Sequence, residues 1–526
     1  MATSTAPLRP IARDEVAKHN KPGDIWVVVD SIVYDLSKFA AMHPGGEAVL
    51  LDEDIAGKDT TTVFFGLHRH EVLLRPQYAR LRIGQIQGEK QRIRTPQPGD
   101  LSRVPYGEPT WLNPAFKTPY YNDSHRRLQA EFRKFVDEVI LPDALVKEDN
   151  GKAPSKEVEQ AMADKLVNHM RLGPGKHLHG LVLMGGVKGE EFDFFHEMIV
   201  TQELARMPTR GYSSGLGTGV FLGLSPVMNF AKEPLRSRVI DEVLTGKKVM
   251  CLAITEAFAG SDVAGMKCRA TRSADGKYWT INGTKKWITA GRYADYILLA
   301  CKTYNGDGPD GQVTTFLVER SEGLETKPIP TTYSAAAGTA YVTFDNVKVP
   351  AENQIGPEGR GLYIIFSNFN HERWYMCCAV SRGARQIVQE CLLWAAQRDV
   401  FGKPLLAQPV IRQKLAGMIA KTEAMQSWVE NVTYQMCNMD YALQAKHLAG
   451  PISFLKMQIT HWTGEITDEA VQIFGGRGLT KTGMGKYIEH YQRTRKFDAV
   501  LGGAEEVLGD LGVRQAMKFM PDDQRL

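Results

Sequence analysis

The chain has 526 residues, 43% of them hydrophobic and 24% charged. That length exceeds what one hydrophobic core usually supports, so two or three domains are expected, and the composition excludes disorder as the whole description. With 64 basic against 60 acidic residues the net charge is +4, a balance that gives no overall field for nucleic acid or a membrane surface.

The first segment carries Trp26-Val-Val-Val-Asp, then Val33-Tyr34-Asp35-Leu36-Ser37-Lys38-Phe39, then His43-Pro44-Gly45-Gly46. Ala56-Gly57-Lys58-Asp59-Thr60 and Leu67-His68-Arg69-His70 follow. Proline fixes the backbone beside His43, and two glycines let the chain approach a flat ligand closely. A second histidine further on can clamp iron from the other face, since two neutral imidazoles suit a low-spin electron-transfer heme. From Gly84 to about Asn113 the chain is rich in Pro, Gly and charge and reads as a linker.

Beyond it, Leu128, Phe132, Phe135, Val139 and Ile140 recur at helical spacing between His125 and Asp149. Residues 192–250 also read as largely helical, with a Gly-rich patch at 211–223. From Cys251 to Pro350 the period becomes two. Strands are predicted over 278–282, 286–289, 296–301, 313–318 and 341–344, with Asn282-Gly283 as a hairpin turn between the first two. After Gly361 helical periodicity returns, and Trp374, Cys377, Cys378, Ala384, Val388, Cys391 and Ala395 form one apolar face.

Seven cysteines, odd in number and without a C-x-x-C pair, speak against a disulfide scaffold or zinc cluster and fit a reducing compartment. No apolar run reaches the roughly 18 residues of a membrane span. Met1–Pro10 lacks the apolar stretch of a secretory signal, and nothing there resembles a mitochondrial presequence.

The N-terminal set, with its His-Pro-Gly-Gly box, resembles a cytochrome b5-like heme-binding domain over residues 8–86. The resemblance implies heme b with His43 as one ligand. It favours His68 as the second and leaves His70 as the alternative.

Four constellations mark the larger part of the chain. In Thr255-Glu256-Ala257-Phe258-Ala259-Gly260-Ser261-Asp262, hydroxyls and a glycine at the end of a strand can meet a phosphate or a flavin edge. In Lys286-Trp287-Ile288-Thr289, a large ring and a hydroxyl two residues apart project from one side of a strand. Arg398-x-x-Phe401-Gly402-Lys403-Pro404, followed by Gln408, places a guanidinium suited to phosphate. Gln472-Ile-Phe-Gly475-Gly476-Arg477-Gly478 implies close backbone approach. Taken singly, each also fits a plain turn, cap or core.

Together, in this order, they resemble the acyl-CoA dehydrogenase family over about residues 115–515. The implied fold is multidomain: a small α+β cytochrome b5-like domain (8–86), a linker (87–114), an N-terminal helical domain (115–250), a middle β-domain (251–358) and a C-terminal four-helix bundle (359–526). The resemblance implies FAD, with Thr255, Ser261, Trp287 and Thr289 at the flavin or its phosphates. It implies Arg398, Phe401, Gln408, Gln472 and Gly476 at the adenosine-diphosphate part, some across a subunit boundary. Ala257-Phe258 departs from the family's usual Pro-Gly.

The family's reaction needs a carboxylate that removes the α-proton of a thioester while the β-hydrogen leaves as hydride to flavin N5. Many members place that glutamate near the C-terminus, where this chain has Gly502 in Leu501-Gly502-Gly503-Ala504-Glu505-Glu506. A second placement, in the isovaleryl- and long-chain-specific branches, precedes an arginine on a helix, and His371-Glu372-Arg373 stands there. Glu372 is therefore the expected base, Arg373 its neighbour, and the Gly502 N–H the expected donor to the thioester oxygen. Glu505 and Glu506 are fallbacks.

The expected function is desaturation of an acyl-CoA to its 2,3-enoyl form, with the tethered heme draining the flavin. An acyl-CoA oxidase and a non-catalytic binding relative are the alternatives. Expected partners are the acyl-CoA substrate, further copies in a tetramer or dimer, and an electron-transfer protein, with no nucleic acid and no membrane span. The ending Gln524-Arg525-Leu526 matches the peroxisomal tripeptide in its last two residues, which points to the peroxisome or else the cytoplasm.

Overall fold

A computed structural model describes residues 8–217, 219–304 and 311–524, so Arg525-Leu526 of the targeting expectation lie outside the described residues. Contacts group the chain into two units. One holds residues up to Gln97 together with Leu393–Ile411 and Ile473–Lys486. The other runs from Pro98 to Leu392, from Arg412 to Gln472 and from Tyr487 onward.

In the first unit, β1 (Pro10–Ile11), β2 (Asn20–Lys21), β3 (Asp24–Val29), β4 (Ile32–Asp35) and β5 (Arg82–Ile86) form one sheet in the order β1-β5-β4-β3-β2. The Val-rich β3 pairs antiparallel with β4 across Asp30-Ser31, both at positive φ. That is the twist a two-residue hairpin needs. Short helices at Glu47–Leu50, Thr61–Leu67 and Glu71–Leu74 contribute to a core with Ile25, Val27, Ile32, Tyr34, Leu50 and Leu73. Within the same unit Gln397 Nε2 donates to the Phe65 carbonyl at 3.1 Å, and Arg69 Nη1 to that of Met484 at 3.3 Å.

The second unit opens on helices at Asp123–Phe135, Leu141–Asn150, Phe194–Leu204 and Leu235–Leu244. Asn122 and Asp193 cap the first and third of these. In both, the imidazole three residues on accepts the cap's own N–H, and the two rings, His125 and His196, stack at 3.9 Å. Among the described residues no helix is long and apolar enough to cross a membrane.

The division of the chain at Gln97–Pro98 falls inside the predicted linker, 87–114. From Pro98 the chain belongs to the second unit. Glu108 is held there by Arg133 at 2.7 Å and Arg382 at 2.8 Å, with Glu203 on Arg133's other side at 2.8 Å. One carboxylate among buried arginines anchors a segment whose composition reads as loose.

The middle of the unit is a sheet of β6 (Met250–Ala253), β7 (Arg269–Arg272), β8 (Tyr278–Ile288), β9 (Tyr296–Tyr304), β10 (Gln312–Glu319), β11 (Leu324–Pro328), β12 (Ala340–Pro350) and β13 (Gln354–Ile355). The order is β11-β12-β8-β7-β9-β10-β13, with β6 parallel to β9. The hairpin at Asn282-Gly283 does not form, because β8 runs straight through it, paired to β7 and β12 on its two edges. Gly283, at φ +138°, is required by proximity: a Cβ there would lie 2.7 Å from the Cys268 Cα. Asn282 exchanges side-chain and backbone hydrogen bonds with Asn346, where the β8–β12 register shifts.

Long helices at Phe369–Gln397, Pro409–Cys437 and Ala449–Phe474, with a last one at Glu505–Met517, form the C-terminal helical part. The predicted apolar face of the first is buried from Trp374 to Ala395.

In the β-domain the buried Lys285 Nζ binds Glu256 Oε1 at 2.8 Å and the Ile254 carbonyl at 2.7 Å, and Glu256 also accepts from the N–H groups of Lys267 and Cys268. Replacing Glu256 by Ala strands the ammonium in the core. The expected loss is about 3–5 kcal/mol, seen as a lower urea midpoint with Lys285 unchanged in sequence.

Candidate functional site

A cavity of about 230 Å³ lies within the second unit. The β-domain supplies Thr255, Trp287, Ile288 and Thr289, the helix Phe369–Gln397 supplies Glu372 and Tyr375, and Gly502 closes one side. Lys286 N–H donates to the Thr255 carbonyl at 2.8 Å, which fixes the end of β6 beside the end of β8. Trp287 sits at φ +59° and its side chain is 47% exposed. A bulky residue held in the left-handed region with an open ring marks a functional constraint rather than packing. The turn it introduces breaks strand alternation, so Trp287, Ile288 and Thr289 all reach the cavity. A planar aromatic and two hydroxyls at the mouth of an apolar cavity fit the edge and face of a flavin.

Glu372 lies in the first turn of its helix and is 6% exposed. Its Oε1 accepts one hydrogen bond, from Asn368 Nδ2 at 3.0 Å, and that same nitrogen donates to the Phe221 carbonyl at 2.9 Å. Burial pushes its carboxyl up to about 7, against the opposing pull of Asn368, His371 and Arg373. Arg373 turns the other way, and its Nε donates to the Gly502 carbonyl at 3.0 Å. Gly502 has φ +69°, a conformation that favours glycine, and a Cβ there would lie 2.9 Å from the Met376 sulfur, so a longer side chain would have to move that methionine. His371 points its Nε2 at both oxygens of the buried Glu197, at 2.8 and 2.9 Å. Burial works to lower the imidazole's pKa, and the carboxylate outweighs it and raises it.

The other expected cofactor residues stand outside the cavity's lining. Ser261 is exposed. Arg398 precedes a hairpin of β14 (Asp399–Val400) and β15 (Lys403–Pro404), and Phe401 at its tip has φ +53° and is 95% exposed. Gln408 follows a short 3-10 turn, Gln472 lies near the end of the helix Ala449–Phe474, and Gly476 lies in the turn after it. Glu505 and Glu506 begin the last helix and do not line the cavity.

In the first unit, the rings of His43 and His68 lie nearly perpendicular, with 6.1 Å between centroids. That spacing fits one metal between two nitrogens, each about 2 Å from it. His43 Nδ1 is turned toward the Gly46 carbonyl at 3.4 Å, which leaves Nε2 for a ligand bond. Burial and then the nearby His43 lower the pKa of His68, favouring the neutral imidazole that a metal requires. His70 is occupied elsewhere: its Nε2 is 3.1 Å from Thr95 Oγ1 and its ring stacks on Phe65. Met42, Val49, Val63 and Leu67, on the short elements flanking the two histidines, present exposed apolar side chains suited to a porphyrin.

Sequence reasoning missed Asn368, the Glu197–His371 pair, Arg171 and Thr201. Asn368 carries a signal, four residues before Glu372 on the same helical face. The others stand alone in sequence.

Family models for the N-terminal, middle and C-terminal domains of acyl-CoA dehydrogenase match residues 122–247, 251–347 and 359–517, and one for the cytochrome b5-like heme/steroid binding domain matches 12–87. The chain is 36% identical over 438 residues to an acyl-CoA dehydrogenase of Emericella nidulans, covering 81% of this chain and 98% of that one. It is 32% identical over 426 residues to an acyl-CoA dehydrogenase of Alternaria alternata, covering 79% and 96%. Among solved structures, a probable acyl-CoA dehydrogenase from Mycobacterium abscessus matches with a TM-score of 0.65 at 26% identity, over 76% of this chain and all of that one. The chain belongs to the acyl-CoA dehydrogenase family of oxidoreductases and carries a cytochrome b5-like domain at its N-terminal end.

Proposed function

We propose that the protein desaturates an acyl-CoA thioester with Glu372 as the base, and that its N-terminal domain carries the electrons onward. The observation that carries this reading is a buried carboxylate with a single hydrogen bond, lining a cavity that Trp287 and Thr289 also line. FAD held by Thr255, Trp287 and Thr289 would supply a hydride acceptor for the β-hydrogen, and heme held by His43 and His68 would supply a one-electron acceptor.

The protein's own contribution is proton chemistry and placement. Glu372, with a pKa near 7, is a stronger base than an exposed carboxylate and is still ionised in part at neutral pH. Asn368 fixes Oε1 and leaves Oε2 to meet the α-proton. Arg373 holds the Gly502 peptide by its carbonyl, and the N–H of that glycine is the donor assigned to the thioester oxygen. Thr255, Ser261, Trp287 and Thr289 are assigned to the flavin. Arg398, Phe401, Gln408, Gln472 and Gly476 are assigned to the adenosine-diphosphate part, with a second copy of the chain taking part in a homo-oligomer. The almost fully exposed Phe401 ring supports that last assignment. His43 and His68 are the heme ligands.

Anaerobic mixing with a panel of acyl-CoA esters tests the function. A productive ester bleaches the flavin, and the heme band then shifts to its reduced form. A heme that stays oxidised refutes the electron route and leaves the desaturation standing. Because the base acts as the carboxylate, the bleaching rate should rise as pH increases through about 7. Glu372→Gln should keep FAD and lower the rate by at least ~100-fold. Retained bleaching moves the base elsewhere.

For the small domain, His43→Ala and His68→Ala should each abolish the heme absorption band in purified protein, while His70→Ala should retain it. Loss of heme in His70→Ala with retention in His68→Ala reverses the ligand assignment.

A further inference from the structure

The same cavity holds a cation that proton abstraction does not use. Arg171 lines it and is 2% exposed. Its Nη1 donates to the Leu216 carbonyl at 2.7 Å and its Nη2 to Tyr375 Oη at 3.3 Å, while its Nε has no hydrogen-bond partner. The guanidinium lies 5.5 Å from the centre of the Phe221 ring. Gly217 makes room for it, since a Cβ there would lie 2.7 Å from Nη1. Thr201, 1% exposed, lines the same cavity, and its hydroxyl also has no partner.

The acidic groups around the cavity are committed elsewhere. Glu197 is taken through both oxygens by His371. Asp498 pairs with Arg210. Glu372 accepts from Asn368. Among the described residues no carboxylate forms an ion pair with Arg171. Glu197 is close enough for its charge to be felt by Arg171, yet both its oxygens are given to His371. A buried guanidinium with a spare N–H is unfavourable by itself, and so is a buried hydroxyl without a partner. Both become favourable when a ligand brings acceptor oxygens. Tyr375 adds a third donor, since its oxygen already accepts from Arg171 and its O–H remains to be used.

We propose that Arg171, with Thr201 and Tyr375, forms a specificity subsite for an acyl-CoA whose acyl chain itself carries a carboxylate. The inference rests on the acyl-thioester reading above and narrows it. A carboxylate supplies acceptor oxygens for the spare Arg171 N–H and for the Thr201 hydroxyl. A plain hydrocarbon tail supplies none and leaves both donors unsatisfied.

The test uses FAD-loaded protein and paired thioesters of equal chain length, one ending in a methyl group and one in a carboxylate. Dissociation constants are read from equilibrium titration of the flavin absorbance, and turnover from an artificial electron acceptor. The carboxylated ester should bind roughly 10- to 100-fold more tightly than its partner, the range expected for charge-assisted hydrogen bonds. Arg171→Met should erase that preference by weakening the carboxylated ester alone, and Thr201→Val should reduce it in part. Equal affinities in the unaltered protein overturn the proposal, as does an Arg171→Met protein that weakens both esters alike. The comparison of the two esters needs no variant, so a misfolded Arg171→Met leaves it decisive. Failure of the underlying reading looks different: a carboxylated ester that binds preferentially yet bleaches no flavin preserves the subsite and removes the dehydrogenase assignment.

Discussion

The site depends on burying one carboxylate without neutralising it. The second unit buries several acids, and their fates differ according to their partners. Glu203 lies among Arg133, Arg206 and Arg382, which overcome burial and hold its carboxyl down to about 2. Glu256 is matched by Lys285 and two backbone N–H groups. Glu372 is as hidden as these but receives one neutral amide, so burial prevails and its carboxyl rises to about 7. The adjacent arginine would cancel that effect if it folded back onto the acid. It does not, because consecutive residues on a helix diverge by roughly 100°, and Arg373 is occupied with the Gly502 carbonyl. The strongly paired acids stabilise the scaffold, and the weakly paired one is left able to exchange a proton.

The small domain applies related physics to a different end. His43 and His68 are brought together by short elements rather than by a long rigid one, and partial burial keeps His68 neutral. Two imidazoles with centroids 6.1 Å apart leave space for a metal between them, and the lowered pKa of His68 favours metal over proton at its nitrogen. His70, two residues on, is spent on Thr95 and Phe65, so neighbouring histidines of similar composition serve different purposes.

Much of this was legible in the sequence, and the failures share a cause. Period and motif spacing located the helices, the β-domain, the His-Pro-Gly-Gly box and the residues of the cavity mouth, because each of those signals is local. The Asn282-Gly283 pair also looks decisive locally, yet β7 and β12 both pair with β8, and a glycine is needed there to pass close to Cys268. Two flanking strands outweigh one turn preference. The polar segment around Glu108 reads as a spacer because composition cannot register the arginines that fold onto it from residues 133 and 382. Arg171 had no signal at all. The N–H it leaves without a partner is visible only once every neighbour has been placed.

With Glu372 as the proposed base, Gly502 is the position to compare with it. At this position the backbone is left-handed and the Met376 sulfur occupies the space a side chain would take. A glutamate there would have to displace Met376 and accept the conformational cost of positive φ, about 1–2 kcal/mol for a residue with a Cβ. Met376 and Glu372 lie one turn apart on the same helix, so the side chain beside Gly502 and the proposed base share one helical face. Arg373, between them in sequence, ties that helix to the Gly502 carbonyl. The acid, the filler and the tether occupy one helical turn and a half. Restoring a base at 502 would therefore draw on that turn as well, since a Gly-to-Glu exchange there must move the Met376 side chain and bear the cost of positive φ.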